Sequence, residues 1–224
     1  MNKLFFGIRL FVLAVILLCF TAVYGQYDPV ERWGKTIAQF GHQDSVSAPK
    51  SGGILMLGSS SFTIWKDVST YFPGKEIINR GFGGSQMSDV LFFKEKLILP
   101  YSPKQIWLYE GENDITSGKT PDAILNEIKQ LVQWTKEKYP KISFILISMK
   151  PSPSRWELRE TMLEMNRKLK AFAQSEKHMK FVDIWNPLLG SDGKPVNGNY
   201  LDDLLHLNVN GYKIWRKAML PALK

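Results

Sequence analysis

Cysteine is almost absent: Cys19 is the only one in 224 residues, and it falls inside the first apolar stretch. A chain that sheds that stretch has no thiol, which excludes disulfide scaffolds, cysteine nucleophiles and thiolate metal sites. Histidine is nearly as scarce. His42, His178 and His206 stand far apart, without the paired spacing that zinc sites use. There is no internal repeat and no low-complexity tract, so solenoid and disordered classes fall away. No long block of one charge occurs either. The formal net charge is +8, but the lysines are scattered, so a solvated surface is the first reading, with a preference for acidic polysaccharide or anionic lipid as the alternative. No nucleic-acid partner is expected from such a pattern.

The uninterrupted apolar run near the N-terminus, Leu10 to Cys19, is shorter than the ~20 residues of a spanning helix. It follows Lys3 and Arg9 and continues through Phe20 to Val23. A basic start followed by such a run reads as a secretory signal peptide over 1–25, with small residues at Val23 and Gly25 suited to cleavage before Gln26. An uncleaved anchor from Leu4 to Tyr24 is the alternative. Leu18, before Cys19, is too large for a lipoprotein site. Export to the medium or periplasm, with no stable membrane insertion after cleavage, is the expectation. Losing Lys3 and Arg9 leaves a charge of +6.

The remaining 26–224 suit a single α/β domain. Asp28 followed by Pro29 predicts the start of a helix running to Phe40, and Asp44 to Gly53 a loop. Continuous apolar runs then predict strands buried on both faces at 54–57, 76–79, 105–109, 142–147 and 181–184. Helical spacing of apolar residues fills 88–97, 121–138, 155–176 and 209–220 between them. Alternating strands and helices argue for a five-stranded parallel sheet covered on both faces, with its chemistry in loops beyond the carboxyl ends of the strands.

Four such segments carry reactive residue types: Gly58-Ser59-Ser60-Ser61 after the first strand, Gly81-Phe82-Gly83-Gly84-Ser85 after the second, Gly111-Glu112-Asn113-Asp114 after the third, and Asp203-Leu204-Leu205-His206 before the last helix. Singly, each has a bland reading as a turn or a helix cap. The glycine run is not a dinucleotide loop, because Gln86 stands where a sixth-position glycine is required. The Gly-x-Ser-x-Gly elbow is missing too, since Phe62 follows Ser61.

Taken together and in this order, the four blocks resemble those of the SGNH/GDSL hydrolase family, and they cover nearly all of the chain after the leader. The resemblance implies a three-layer α/β/α sandwich, flavodoxin-like in character, that hydrolyses carboxylic esters without metal or organic cofactor. It implies Ser60 as nucleophile, His206 and Asp203 as base and orienter, and Ser60, Gly84 and Asn113 as oxyanion donors. The first block departs from the family's Gly-Asp-Ser, with Ser59 in place of the aspartate, so Ser59 and Ser61 stay open as nucleophiles. The residue chemistry agrees. A serine hydroxyl needs a neighbouring imidazole to take its proton, and an aspartate three residues before the histidine can hold its tautomer.

Ser59, Arg155 and Trp156 are candidate substrate contacts, although Arg155 and Trp156 can equally start and pack the next helix. Trp65 and Phe82 offer either a substrate platform or core packing. The substrate class expected is a small-molecule or glycan ester, with short acyl groups, acetyl on carbohydrate, ahead of the longer chains of a lysophospholipase or thioesterase. A catalytically inactive carbohydrate-binding module is the rival from outside enzymology.

Overall fold

The computed structural model describes residues 27–223; the leader assigned to 1–25 lies outside them. Five parallel strands form one sheet: β1 (Ile54–Gly58), β2 (Ile77–Gly81), β3 (Gln105–Tyr109), β4 (Ser143–Ile147) and β5 (Met179–Val182), in the order β2-β1-β3-β4-β5. This is the flavodoxin-like order, and the chain reverses direction of winding between β1 and β3, where such sheets open a crevice. β1, β3 and β4 are buried at every position, as their continuous apolar runs require once helices cover both faces.

Alternation along the strands divides the core in two. On one face Leu55, Leu57, Ile106, Leu108, Phe144 and Leu146 pack beneath α1 (Pro29–Val46), α4 (Met87–Phe92), α5 (Lys94–Ile98), α7 (Pro121–Lys138) and α8 (Arg159–Ser175). On the other, Ile54, Met56, Trp107, Tyr109, Ile145 and Ile147 meet α2 (Ser60–Ile64), α3 (Val68–Tyr71) and α9 (Val209–Met219). Three layers result. α9 closes the second face by burying Tyr212, Trp215 and Met219 at helical spacing. Truncating a buried tryptophan such as Trp215 typically costs about 3–5 kcal/mol. Among the described residues no helix is long and apolar enough to cross a membrane.

Local sequence explains most boundaries. α7 spans the predicted 121–138, opened by the Thr120 cap on the Ala123 amide with Pro121 at its first position, and closed with Lys136 and Lys138 in its last turn. α1 starts behind Asp28, which accepts from the Val30 amide. It does not stop at Phe40. It continues to Val46 because Asp44, expected in a loop, is held by Arg80 and by the Tyr101 hydroxyl at 2.5 Å. The helix predicted at 88–97 is two helices, broken at Phe93 with ψ near 9°. Strand β5 ends before the predicted 184, since Asp183 turns to accept from the amides of Trp185 and Asn186. The helix predicted from 155 begins with a 3-10 segment, Pro153–Leu158, ahead of α8. The short helices α2, α3 and α6 (Glu112–Thr116) sit in stretches that carry too little periodicity to be legible.

Candidate active site

Ser60, Gly84, Asn113, Arg155, Asp203 and His206 gather at the carboxyl edge of the sheet, where β1 sits between β2 and β3; Ser59 stands at the same edge but is buried. Ser60 is the first residue of α2, directly after β1. Its amide therefore has no carbonyl one turn back to bond. The Ser60 Oγ stands 2.8 Å from His206 Nε2, and His206 Nδ1 stands 2.5 Å from Asp203 Oδ2. The three side chains thus form one continuous hydrogen-bonded line.

Asp203 earns its position through local chain geometry. Its Oδ1 accepts from the amides of Leu205 and His206, each at 2.9 Å. That closure needs Leu204 in the left-handed region, with φ of 53°. For a side chain with a Cβ this conformation costs roughly 1–2 kcal/mol, and it is held by the Leu204 amide on Leu201 O and by the Ser154 amide on Leu204 O. Slight burial would raise the Asp203 carboxyl, but the hydrogen bonds from the His206 ring and from the His206 and Leu205 amides outweigh it. Its pKa falls to about 2.

The two neighbouring serines are placed otherwise. Ser59 is buried, its carbonyl accepting from the Phe62 and Thr63 amides, so it packs at the helix start and does not line a substrate surface. Ser61 is buried, and its carbonyl accepts from the Tyr212 hydroxyl at 2.8 Å. His42 and His178 are exposed and remote in the chain from the site loops. Trp65 and Phe82 are fully buried, which makes them core and not a platform.

Gly84 lies in the turn after β2, with φ of 85° in the region that favours glycine. The preceding Gly83 packs on Ser60: a Cβ there would lie 3.5 Å from the Ser60 Cβ. Asn113 belongs to α6, after β3. Its Nδ2 donates to Ser85 O at 2.9 Å and its Oδ1 accepts from Arg155 Nη2 at 3.1 Å. Arg155, expected as a substrate contact or a helix starter, is thus engaged with the asparagine. Trp156 stacks on Trp185 at 6.1 Å and takes the Arg159 guanidinium on its face. It packs at the start of α8. Asp114 accepts from the Met87 amide and pairs with Lys119 at 2.7 Å, fastening α4 to the β3 loop.

Sequence reasoning misses what lies beneath. Glu112, at the variable position of its block, is buried and accepts from the Tyr109 hydroxyl at 2.5 Å, the Lys150 amide at 3.0 Å and Lys150 Nζ at 2.6 Å. Burial alone would raise its pKa, but Lys150 and Arg155 hold the carboxyl below its ordinary value. Nothing in the spacing links residues 112 and 150. Among the described residues, no three histidine, cysteine or carboxylate side chains converge as metal ligands. A groove of about 670 Å³ is lined by Lys129, Val132 and Phe172 on α7 and α8 and by none of the site residues.

The sequence matches the GDSL-like Lipase/Acylhydrolase family over residues 44–214. The chain belongs to this family. Such membership makes it an esterase or acylhydrolase in the broad sense, built on the sheet just described. No curated protein matches the sequence. Solved structures of the family superpose well. A Streptococcus pneumonia protein that carries the provisional name platelet activating factor aligns with a TM-score of 0.78 at 23% identity, covering 95% of this chain and 99% of that one. A GDSL-like lipase from Bacteroides thetaiotaomicron gives 0.72 at 21%, covering 83% and 96%. A catalytic mutant of an acetylxylan esterase from Geobacillus stearothermophilus gives 0.61 at 19%, covering 77% and 94%. At these identities the likeness speaks for the fold.

Proposed function

We propose that this GDSL-family chain is an exported serine esterase that hydrolyses carboxylic esters through an acyl-serine intermediate. The observation that carries the reading is the unbroken line Ser60 Oγ, His206 Nε2, His206 Nδ1, Asp203 Oδ2, at 2.8 and 2.5 Å.

Neutral His206 keeps its proton on Nδ1, donated to the Asp203 carboxylate, which leaves Nε2 free to accept the Ser60 hydroxyl proton. As that proton moves to Nε2, Oγ bonds to the ester carbonyl carbon and the carbonyl π pair becomes the oxyanion. The Ser60 and Gly84 amides and Asn113 Nδ2 receive it, coming from three different strand ends. Collapse expels the alcohol, protonated from Nε2, and leaves the acyl-serine. Water then repeats the sequence, with Nε2 taking its proton and returning it to Oγ as the acid departs. Donors fixed before the charge develops need no reorganisation, the largest usual source of acceleration in such sites.

Short acyl groups, acetyl on carbohydrate, are the proposed substrate. Ser60, Gly84, Asn113 and His206 all remain partly open to solvent, which admits a bulky sugar as the alcohol half. Two structural relatives bear the names acetylxylan esterase and carbohydrate esterase family 3, and this chain takes the substrate class from them as a proposal. Export rests on Lys3 and Arg9 ahead of the apolar run.

Turnover of p-nitrophenyl acetate and labelling by a serine-reactive phosphonate test the chemistry. Ser60→Ala and His206→Ala are expected to lose about four orders of magnitude in turnover or more while keeping the fold. Full activity in either, or no adduct on Ser60, overturns the reading. A chain-length series from acetate to palmitate tests the substrate, and a palmitate optimum rejects the acetyl preference in favour of a lysophospholipase-like enzyme.

A further inference from the structure

Asn113 can donate to an oxyanion only if its amide faces the right way. A side-chain amide has two nearly isosteric orientations, and turning it over presents a carbonyl oxygen to the developing negative charge. Two contacts decide the matter here. Arg155 Nη2 donates to Oδ1 at 3.1 Å, and the Ser85 carbonyl accepts from Nδ2 at 2.9 Å. In the reversed orientation the NH₂ would meet the guanidinium and the oxygen would meet a carbonyl, so both contacts would turn repulsive. With one Nδ2 proton on Ser85 O, the second is left for the substrate.

Arg155 is itself held from behind. Its Nη1 lies 3.7 Å from Glu112 Oε2. Glu112 cannot follow it, because Lys150 Nζ, the Lys150 amide and the Tyr109 hydroxyl already grip that carboxylate within 3.0 Å. Only 17% of the Arg155 side chain is exposed, and both terminal nitrogens have partners. Its segment, Pro153–Leu158, is tied to the base loop as well, through the Ser154 amide on Leu204 O.

We infer that Arg155 is a positioning residue for the esterase reaction: held by the buried Glu112 carboxylate, which Lys150 fixes in place, it locks the Asn113 amide in the orientation that donates to the oxyanion. This rests on the acyl-serine reading above. A planar fork with two terminal nitrogens suits a bridge from a carboxylate to an amide oxygen; an ammonium is a single point and cannot span both.

The test is a double-mutant cycle on p-nitrophenyl acetate, with melting temperature and the rate of phosphonate labelling at Ser60 measured alongside. Arg155→Met is expected to lower kcat by about 10- to 100-fold, a part of the 100- to 1,000-fold that loss of a whole oxyanion donor brings, with KM within about threefold. Arg155→Lys, which keeps a cation beside Glu112 and so protects folding, is expected to recover only a fraction of that loss. In an Asn113→Ala background, Arg155→Met should cost no more than about twofold, because the amide it orients is gone. Additive losses in the cycle overturn the proposal, as does a raised KM at unchanged kcat, the mark of direct substrate contact. Wild-type kcat in Arg155→Lys also overturns it. An inactive wild type with unlabelled Ser60 overturns the esterase reading and this inference together, whereas an active, labelled wild type with an additive cycle overturns the inference alone.

Discussion

Gly58 and Tyr109 end adjacent strands in register, and a Cβ built on Gly58 would lie 2.3 Å from the Tyr109 carbonyl oxygen. That approach closes β1 onto β3 at the point where the chain changes winding direction. It sets Ser60, two residues on, beside the loop that carries Asn113. Backbone meets backbone there, so nothing flexible can yield.

Gly58→Ala is therefore expected to destabilise by about 1–3 kcal/mol, the usual range for overpacking, and to lower turnover by displacing Ser60. Urea unfolding and kcat measured on the same preparation check it. Unchanged values for both would mean that the strand ends have room to part.

Gly84→Ala separates strain from space. A Cβ at this position meets Trp33 at 3.5 Å and Arg32 at 3.7 Å, ordinary contacts. The φ of 85° is the difficulty. The variant should fold with a loss of roughly 1–2 kcal/mol and lose turnover disproportionately, as the 84 amide turns away from the oxyanion. Thermal melts and kcat with p-nitrophenyl acetate distinguish the two effects.

The Asp203 carboxyl titrates near 2 in the folded chain, against an ordinary value of about 3.9. A depressed folded pKa adds stability that is fully present above the unfolded value and is lost as pH falls through the folded one. The melting-temperature gap between wild type and Asp203→Asn should hold steady above about pH 5 and shrink between about pH 4 and pH 2. A gap that widens on acidification would contradict the hydrogen bonds assigned to Asp203.

Lys150 and Glu112 make a buried ion pair at 2.6 Å. Lys150→Met leaves the buried carboxylate with Arg155 at 3.7 Å as its remaining cation and is expected to cost up to about 3–5 kcal/mol. Adding Glu112→Gln to it should restore part of that loss, since the buried carboxylate is gone and the charge left without its partner is the Arg155 guanidinium, which keeps 17% of its side chain exposed. Turnover should stay low in the double variant, because Arg155 loses the carboxylate that anchors it. Chemical denaturation of the single and double variants measures the recovery.

The sequence by itself determined the layers. Continuous apolar runs at 54–57 and 105–109 mark strands covered on both faces, and Ile124, Ile128, Leu131 and Trp134 at helical spacing, with Pro140 beyond, mark α7 over its observed 121–138. These signals are local, since burial and capping leave their imprint on neighbouring positions. The order of the four blocks was legible for the same reason, each block being contiguous.

Tertiary structure decided the rest. Three consecutive serines offer the same hydroxyl, and only the start of α2 turns Ser60 toward His206, 146 positions away, while Ser59 and Ser61 are buried. Arg155 can serve as a helix starter or a substrate contact until the sheet order sets it beside Asn113, 42 positions earlier. Glu112, Lys150 and Tyr109 meet under the site with no pattern to announce them. Periodicity reports which face of an element is covered; a partner for a buried charge or a reactive hydroxyl is chosen by which strand ends lie side by side, and that is a property of the assembled sheet.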